Sequence, residues 1–176
     1  MFVQHLLKTI RYRPKTKQGF GLLEIVISSA IISASLIALV TATQLSYRAV
    51  EEVLQRTQAE FLAEEGFEAV RVLRGAGWSL VITPLINGTV YYPTFATSTS
   101  AWSLSLSNPG LINNLFTRTV VFAAVCRKNA DDDIVACNAP DPHYTDTGTR
   151  EVLSRVTWGV NEEVEFQGYI TDLFDN

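Results

Sequence analysis

The chain has 176 residues, of which 47% are hydrophobic and 18% are charged, and its formal net charge is −4. This length suits one modest domain plus an appendage. Residues 1–19 carry five basic side chains and no acid, so the remaining 9 basic and 18 acidic residues sum to −9. An acidic body repels phosphate backbones, which argues against nucleic acid as a partner.

A basic segment precedes the densest apolar block of the chain. The block covers residues 20–45, and Glu24 is its only charged residue. As a helix it would extend roughly 39 Å at 1.5 Å per residue, enough to cross a hydrocarbon core of about 30 Å. The excess of positive charge predicts that the segment before the block stays in the cytoplasm. The basic residues are Lys8, Arg11, Arg13, Lys15 and Lys17.

Three interpretations fit an apolar run near an N-terminus. A secretory signal peptide could be cut after the small residues Val40-Thr41-Ala42, but the run is longer than the usual 7–15 residues. A plain membrane anchor leaves Glu24 unexplained, because a charge at bilayer depth costs about 2.5–3.5 kcal/mol and usually has a partner and a function. A third interpretation accounts for both Glu24 and the residues before it.

The segment Lys17-Gln18-Gly19-Phe20-Gly21-Leu22-Leu23-Glu24-Ile25 resembles the processing motif of type IV prepilins and type II secretion pseudopilins. The resemblance implies that a prepilin peptidase removes residues 1–19 by cutting between Gly19 and Phe20. It also implies methylation of the new amine of Phe20, and pairing of Glu24 with that amine on a neighbouring subunit.

The resemblance further implies a structural subunit rather than an enzyme, with no cofactor. Its partners would be copies of itself or other pilins, the peptidase, and an assembly platform in the inner (cytoplasmic) membrane. After assembly the C-terminal domain would lie in an extracellular or periplasmic filament that serves adhesion or secretion. Thr41 stands where many major pilins carry proline, so the resemblance is to pilin-like subunits in general.

The apolar helix is predicted to continue into an amphipathic helix over residues 46–74. Within the apolar block, Ala30, Ala34, Ala38 and Ala42 follow one another at four-residue steps, a spacing that lets helices approach closely. A helix over residues 20–74 would be about 80 Å long. A domain of about 100 residues cannot cover such a helix, so its first half must contact lipid or other copies. In the amphipathic half, the apolar residues predicted to face the sheet include Val50, Val53, Leu54, Phe61, Ala69, Val70 and Leu73.

Residues 75–176 have the composition of a soluble β-rich domain. Asn87-Gly88 is a strong hairpin signal between two apolar runs. Four to six antiparallel strands are expected, with one face of the sheet packed on the amphipathic part of the helix, giving an α+β fold of pilin type. The predicted strands cover residues 80–82, 89–95, 102–106, 116–126, 152–160 and 164–170.

The chain has two cysteines, Cys126 and Cys137, which flank a polar loop. Their even number, their proximity and their place on the exported side favour a disulfide. A loop this short would gain about 2–3 kcal/mol from closure in the chain-entropy picture. Two reduced, half-buried cysteines are the alternative.

Few residues offer other chemistry. His143 lies near Asp141 and Asp146, but no nucleophile-elbow pattern accompanies it. Oxygen-rich sites suit Ca²⁺, yet the acidic run does not follow the EF-hand pattern, and a solvated turn is the favoured interpretation. The weak candidates for calcium are Asp131, Asp132 and Asp133.

A second class of function is a membrane-anchored binding module, such as a minor pilin or tip adhesin. Exposed aromatic residues could form its ligand surface, although the same residues could equally belong to the core or to an edge strand. The aromatic residues in question are Tyr91, Tyr92, Phe95 and Trp102.

Overall fold

The structure is a computed structural model that describes residues 21–173. Its contacts divide the chain into two units, Met1–Arg48 and Ala49–Asn176. The predicted cleavage site between Gly19 and Phe20, and the basic leader before it, lie outside the described residues.

Helix α1 (Leu22–Gly75) supplies all the described structure of the first unit after Gly21. Polar side chains within this apolar stretch bond back to the preceding turn. Ser35 Oγ donates to the carbonyl of Ile31 at 2.8 Å, and Thr43 Oγ1 donates to the carbonyl of Leu39 at 2.8 Å. Such bonds satisfy hydroxyls where no water is available, so these residues do not conflict with an apolar environment.

The second unit contains the end of α1 and an antiparallel sheet of six strands. Along the sheet the order is β2-β1-β3-β5-β6, and the short strand β4 pairs with the end of β3. The strands are β1 (Val90–Ala96), β2 (Ala101–Ser105), β3 (Thr117–Lys128), β4 (Ile134–Val135), β5 (His143–Trp158) and β6 (Glu162–Thr171). A helix packed on a small antiparallel sheet is the predicted α+β class, which is thereby confirmed.

The core lies between α1 and one face of the sheet. The larger cluster includes Phe67 and Val70 from the helix, Val120 and Phe122 from β3, and Val152 from β5. A smaller cluster forms around Ala59, Ala63, Phe116, Val156 and Trp158. The helical members recur at intervals of three and four residues, so they share one face of α1.

The helical face that packs on the sheet differs from the predicted one in its first half. Residues Val50, Val53, Leu54 and Phe61 are 57%, 63%, 56% and 67% exposed. The buried positions are instead Ala59, Ala63, Gly66, Phe67, Ala69 and Val70. Small side chains let the backbone of α1 approach the strands closely, and Gly66 extends this approach without ending the helix.

The predicted strand over residues 80–82 is wrong. Trp78–Ile82 forms a single π-helical turn. Trp78 and Ile82 are both buried in the larger core cluster, and their four-residue separation places them on one side of a helical turn. A short apolar run does not distinguish a strand from a buried helical turn. A turn does occur at Asn87-Gly88, where Gly88 has φ +75°, but no strand precedes it among the described residues, so the predicted hairpin is wrong.

The other strands appear where the alternating pattern predicted them. β5 and β6 pair from Trp158 opposite Glu162 to Thr149 opposite Thr171. β5 starts earlier than expected, because His143 and the residues after it pair with the end of β3. That pairing shifts register between Ala124 and Val125, which lie opposite Arg150 and Asp146, so residues 147–149 of β5 are extra.

Candidate functional site

Glu24 lies in the first turn of α1, next to the first residues that the structure describes. Its amide donates to the carbonyl of Gly21 at 2.9 Å, and its side chain is exposed. A carboxylate in the first turn is stabilised by the positive end of the helix dipole. Glu24 is therefore placed where a cationic group near the helix N-terminus could reach it.

The surface of α1 is exposed over a long distance, and no charged residue occurs on it between Glu24 and Arg48. Every residue from 21 to 54 is exposed, which corresponds to about 50 Å of helix. Within the described residues α1 is the one helix long and apolar enough to cross a membrane, with a mean hydropathy of 2.3 in its most apolar window. The helix is thus compatible with membrane anchoring.

The small-residue stripe lies on this helix as predicted. Ala30, Ala34 and Ala38 fall within α1 at four-residue steps, and all three are exposed. Each step of four residues advances about 6 Å along the axis on nearly the same side of the helix. At Thr41 the helix continues, and the Thr41 hydroxyl lies 3.1 Å from the carbonyl of Ile37 and 2.9 Å from that of Ala38.

A second exposed apolar stripe lies on α1 within the second unit. It consists of Val50, Val53, Leu54 and Phe61, and we call it the outer stripe. Because the sheet covers Ala59, Ala63 and Phe67 instead, the outer stripe has no intramolecular cover. The apolar surface of the helix therefore extends past the length that a membrane requires.

Cys126 and Cys137 form a disulfide with an S–S distance of 2.00 Å and a Cα–Cα distance of 5.1 Å. The bridge joins the end of β3 to the loop that follows β4. Cys126 is buried in the domain, whereas Cys137 is exposed. The closed loop contains the three consecutive aspartates.

These aspartates shape a turn. Asp132 has φ +60°, and one of its carboxylate oxygens accepts a hydrogen bond from the Tyr144 hydroxyl at 2.9 Å. The Asp131 carboxylate accepts from the amide of Asp133 at 3.3 Å. Among residues 21–173, no group of three or more His, Cys, Asp or Glu side chains is arranged to hold a metal ion.

Arg127 of β3 contacts both Asp146 of β5 and the aspartate turn. Arg127 Nε lies 2.6 Å from Asp146 Oδ2, and Arg127 Nη1 donates to the carbonyl of Asp132 at 2.9 Å. Burial opposes ionisation of Asp146, but hydrogen bonds from Arg127, Thr149 and the Gly148 amide together outweigh it and lower its pKa. The bond to Asp146 raises the pKa of Arg127, and the bond to Asp132 raises that of Tyr144.

His143 contacts backbone carbonyls and not the neighbouring carboxylates. Its Nδ1 lies 2.8 Å from the carbonyl oxygen of Asp141, and its Nε2 lies 3.0 Å from that of Cys137. Asp146, three residues farther along β5, is paired instead with Arg127 of β3. The three residues therefore do not form the charge-relay arrangement that a hydrolase requires.

The aromatic residues considered for ligand binding do not share one exposed surface. Tyr91 is buried and packs edge-on against Phe122, with ring centroids 5.8 Å apart. Trp102 is half-buried, and its ring centroid lies 5.3 Å from that of Phe95. The guanidinium carbon of Arg118 lies 5.2 Å from the Trp102 ring centroid. Phe95 is half-exposed, and the group belongs mainly to the core and the sheet edge.

The sequence did not reveal an ion pair between a half-exposed glutamate of α1 and a buried arginine of β3. The Arg118 side chain is only 6% exposed, and its Nη1 lies 2.6 Å from Glu65 Oε2. Arg118 Nη2 also donates to the carbonyl of Pro93 at 3.4 Å. The sequence does place Arg118 at an inward position of an alternating strand, which indicates that it needs a partner. Its acidic partner, Glu65, lies 53 residues away, so no local pattern identifies it.

No protein-family model, curated protein or solved structure matches the chain.

Proposed function

We propose that the chain is a structural subunit of a type IV pilus or a pilus-like filament, made as a prepilin and polymerised through α1. A prepilin peptidase removes residues 1–19, and the subunit waits in the inner membrane with its β-domain outside. The assembly platform then transfers it into a filament of like or related subunits.

The length of the exposed apolar helix is the observation that carries this proposal. A membrane covers about 30 Å of helix, or roughly 20 residues. The exposed surface runs through residues 21–54 and on to Phe61. A membrane alone would cover the first part of α1 and leave the outer stripe in water. Neighbouring copies in a filament would cover both the first part of α1 and the outer stripe.

Glu24 supplies the second support. An ionised carboxylate within an apolar helix calls for a cationic partner. The position of Glu24 in the first turn of α1 suits pairing with the amine of Phe20 from an adjacent subunit. Such a pair neutralises two charges and sets the axial position of the added subunit.

The N-terminus of the chain isolated from its own membranes tests the proposal. Sequencing should begin at Phe20, with a methylated amine. Gly19→Val should block the cut, while Gly21→Ala, which lies outside the cleaved Gly19–Phe20 bond and adds no clash within the chain, should not. A mature chain that begins at Thr43, after signal-peptide cleavage, or one that keeps residue 1 would overturn the proposal.

Glu24→Val should abolish filament assembly while leaving the amount of membrane-inserted subunit largely unchanged. Removing the charge favours insertion but deletes the pairing group. Glu52→Val, an exposed glutamate farther along α1, is the matched control and should assemble. The measurement is the ratio of sheared filaments to membrane-bound subunit on immunoblots. Normal assembly of the Glu24 variant would contradict the assigned role.

A further inference from the structure

The two edge strands of the sheet differ in charge. β6 forms one edge and carries Glu162, Glu163 and Glu165. β2 forms the other edge with the sequence Ala-Trp-Ser-Leu-Ser. Charged side chains protect open edges against pairing with another chain, so β6 is protected and β2 is not.

The uncharged region extends well beyond β2. No Asp, Glu, Lys, Arg or His occurs between Arg74 and Arg118. This region includes the π-helical turn, β1 and β2. In a chain that is 18% charged, such a gap creates an electrostatically neutral side of the domain around the open edge.

The backbone groups that face this open edge can be identified from Pro93. Pro93 lies opposite Leu104 in the pairing of β1 with β2, and proline has no amide hydrogen. The ladder bonds therefore come from the alternate pairs, such as Thr94 with Ser103. In agreement, the Pro93 carbonyl accepts from Arg118 on the side away from β2. The N–H and C=O groups of Trp102 and Leu104 thus point outward from the sheet.

We propose that β2 pairs in antiparallel fashion with β2 of a second copy of this chain, around a twofold axis at Ser103. After residues 1–19, the chain has 9 basic and 18 acidic residues, so copies repel each other over most of their surface. The neutral side allows two copies to meet without opposing like charges. A strongly charged partner would gain nothing there.

In the proposed register, the outward N–H and C=O groups of Trp102 and Leu104 all form hydrogen bonds. Trp102 pairs with Leu104 of the partner subunit, and symmetry repeats the pair, giving about four backbone hydrogen bonds. The Trp102 ring is already held between Phe95 and Arg118. Ser103 faces its own symmetry mate in a non-hydrogen-bonded pair, where Cα atoms lie about 4.5 Å apart.

A twofold contact closes on itself and cannot propagate a helical filament. The β2 pair therefore adds to the helix-driven assembly proposed above and does not replace it. In a filament it would join two filaments side by side, and in isolated subunits it would give a dimer. The contact stands on the geometry of the sheet edge and does not depend on the filament proposal.

Cysteine cross-linking of the full-length chain in detergent tests the contact and its register. Ser103→Cys should give a disulfide-linked dimer under mild oxidation, because two Cα atoms about 4.5 Å apart lie within disulfide reach. Ala101→Cys is the matched control. It lies on the same strand and is equally exposed, but its symmetry mates would be about 14 Å apart, beyond disulfide reach. The native cysteines are already paired with each other.

The expected result is a cross-linked fraction at least about fivefold higher for Ser103→Cys than for Ala101→Cys, reflecting this difference in reach. Peptide mass spectrometry should place the bond between two copies of residue 103. Equal cross-linking of both variants, cross-linking of Ala101→Cys alone, or a folded Ser103→Cys chain that stays uncross-linked would each overturn the proposal.

Discussion

Gly66 lies inside α1 at a point where the helix closely approaches β3 and β5. A β-carbon at this position would stand 2.4 Å from Ser154 Oγ and 3.0 Å from Arg118 Cδ. Both neighbours are buried, and Arg118 is held by Glu65, so a methyl group here would require the packing to shift. The residue therefore sets how closely the helix and the sheet pack.

Gly66→Ala should lower stability by about 1–3 kcal/mol, although alanine is the better helix former by about 1 kcal/mol. The cost arises because the helix must shift away from the strands to admit the methyl group. Thermal unfolding by circular dichroism measures the change. Gly75→Ala is the control, since a β-carbon there meets nothing within 4 Å. Equal melting of wild-type and Gly66→Ala proteins would contradict the close approach.

Asp146 gives the second residue-scale prediction, a dependence of stability on pH. Its pKa is lowered in the folded chain, so its contribution is complete above the unfolded value of about 3.9 and is lost as pH falls through the folded value. Asp146→Asn should therefore melt several degrees lower than wild type near pH 7. The two melting curves should converge as pH falls below about 4.

Asp141→Asn provides the comparison for Asp146. Its carboxylate is 61% exposed and lies 3.7 Å from Lys128 Nζ, so its ion pair is weaker. Melting temperatures from pH 2 to pH 7 should show little difference between this variant and wild type. A gap between Asp146→Asn and wild type that does not narrow in acid would contradict the role given to the Arg127–Asp146 pair.

At the scale of elements, α1 carries two apolar faces within the second unit. One contains Phe67, which is 8% exposed and packs against Phe166 with ring centroids 5.1 Å apart. The other is the outer stripe, in which Phe61 is 67% exposed. The first face stabilises the domain, and in the proposed filament the second contacts neighbouring subunits.

Replacing phenylalanine by alanine should therefore lower stability on the first face and filament yield on the second. Phe67→Ala should destabilise the domain by about 3–5 kcal/mol, because it leaves a cavity in the core. Phe61→Ala should leave stability within about 0.5 kcal/mol of wild type but should reduce the yield of sheared filaments. Urea unfolding and filament yield together separate the two. Unchanged filament yield for Phe61→Ala would remove the outer stripe from the assembly surface.

Local patterns in the sequence were enough to predict the length of α1, most strands and the disulfide. They could not show which face of α1 packs on the sheet, because Val50 and Phe61 are more hydrophobic than Ala59 and Ala63. Close approach favoured the smaller side chains. The Arg118–Glu65 pair and the π-helical turn depend on contacts distant in sequence, so no local pattern could reveal them. Within the candidate site, Glu24 and the alanine stripe follow from spacing along one helix.

At the scale of the whole molecule, the folding core and the exposed apolar helix use different residues. The smaller core cluster begins at Ala59 and the larger one at Phe67, and neither contains any residue from 21–54. The second unit, Ala49–Asn176, also contains the disulfide. The hydrophobic core of the described residues therefore lies in the second unit, and residues 21–54 of α1 are exposed.

A fragment covering Ala49–Asn176 should fold on its own and stay soluble without detergent. Its melting temperature should lie within about 4 °C of that of the full chain in detergent, the shift that roughly 1 kcal/mol produces in a domain of this size. Differential scanning calorimetry of both proteins in the same detergent makes the comparison. A fragment that begins at Phe67 is the control and should fail to fold, because it lacks Ala59 and Ala63 of the smaller core cluster. An unfolded Ala49–Asn176 fragment would show instead that the first half of α1 contributes to the stability of the domain.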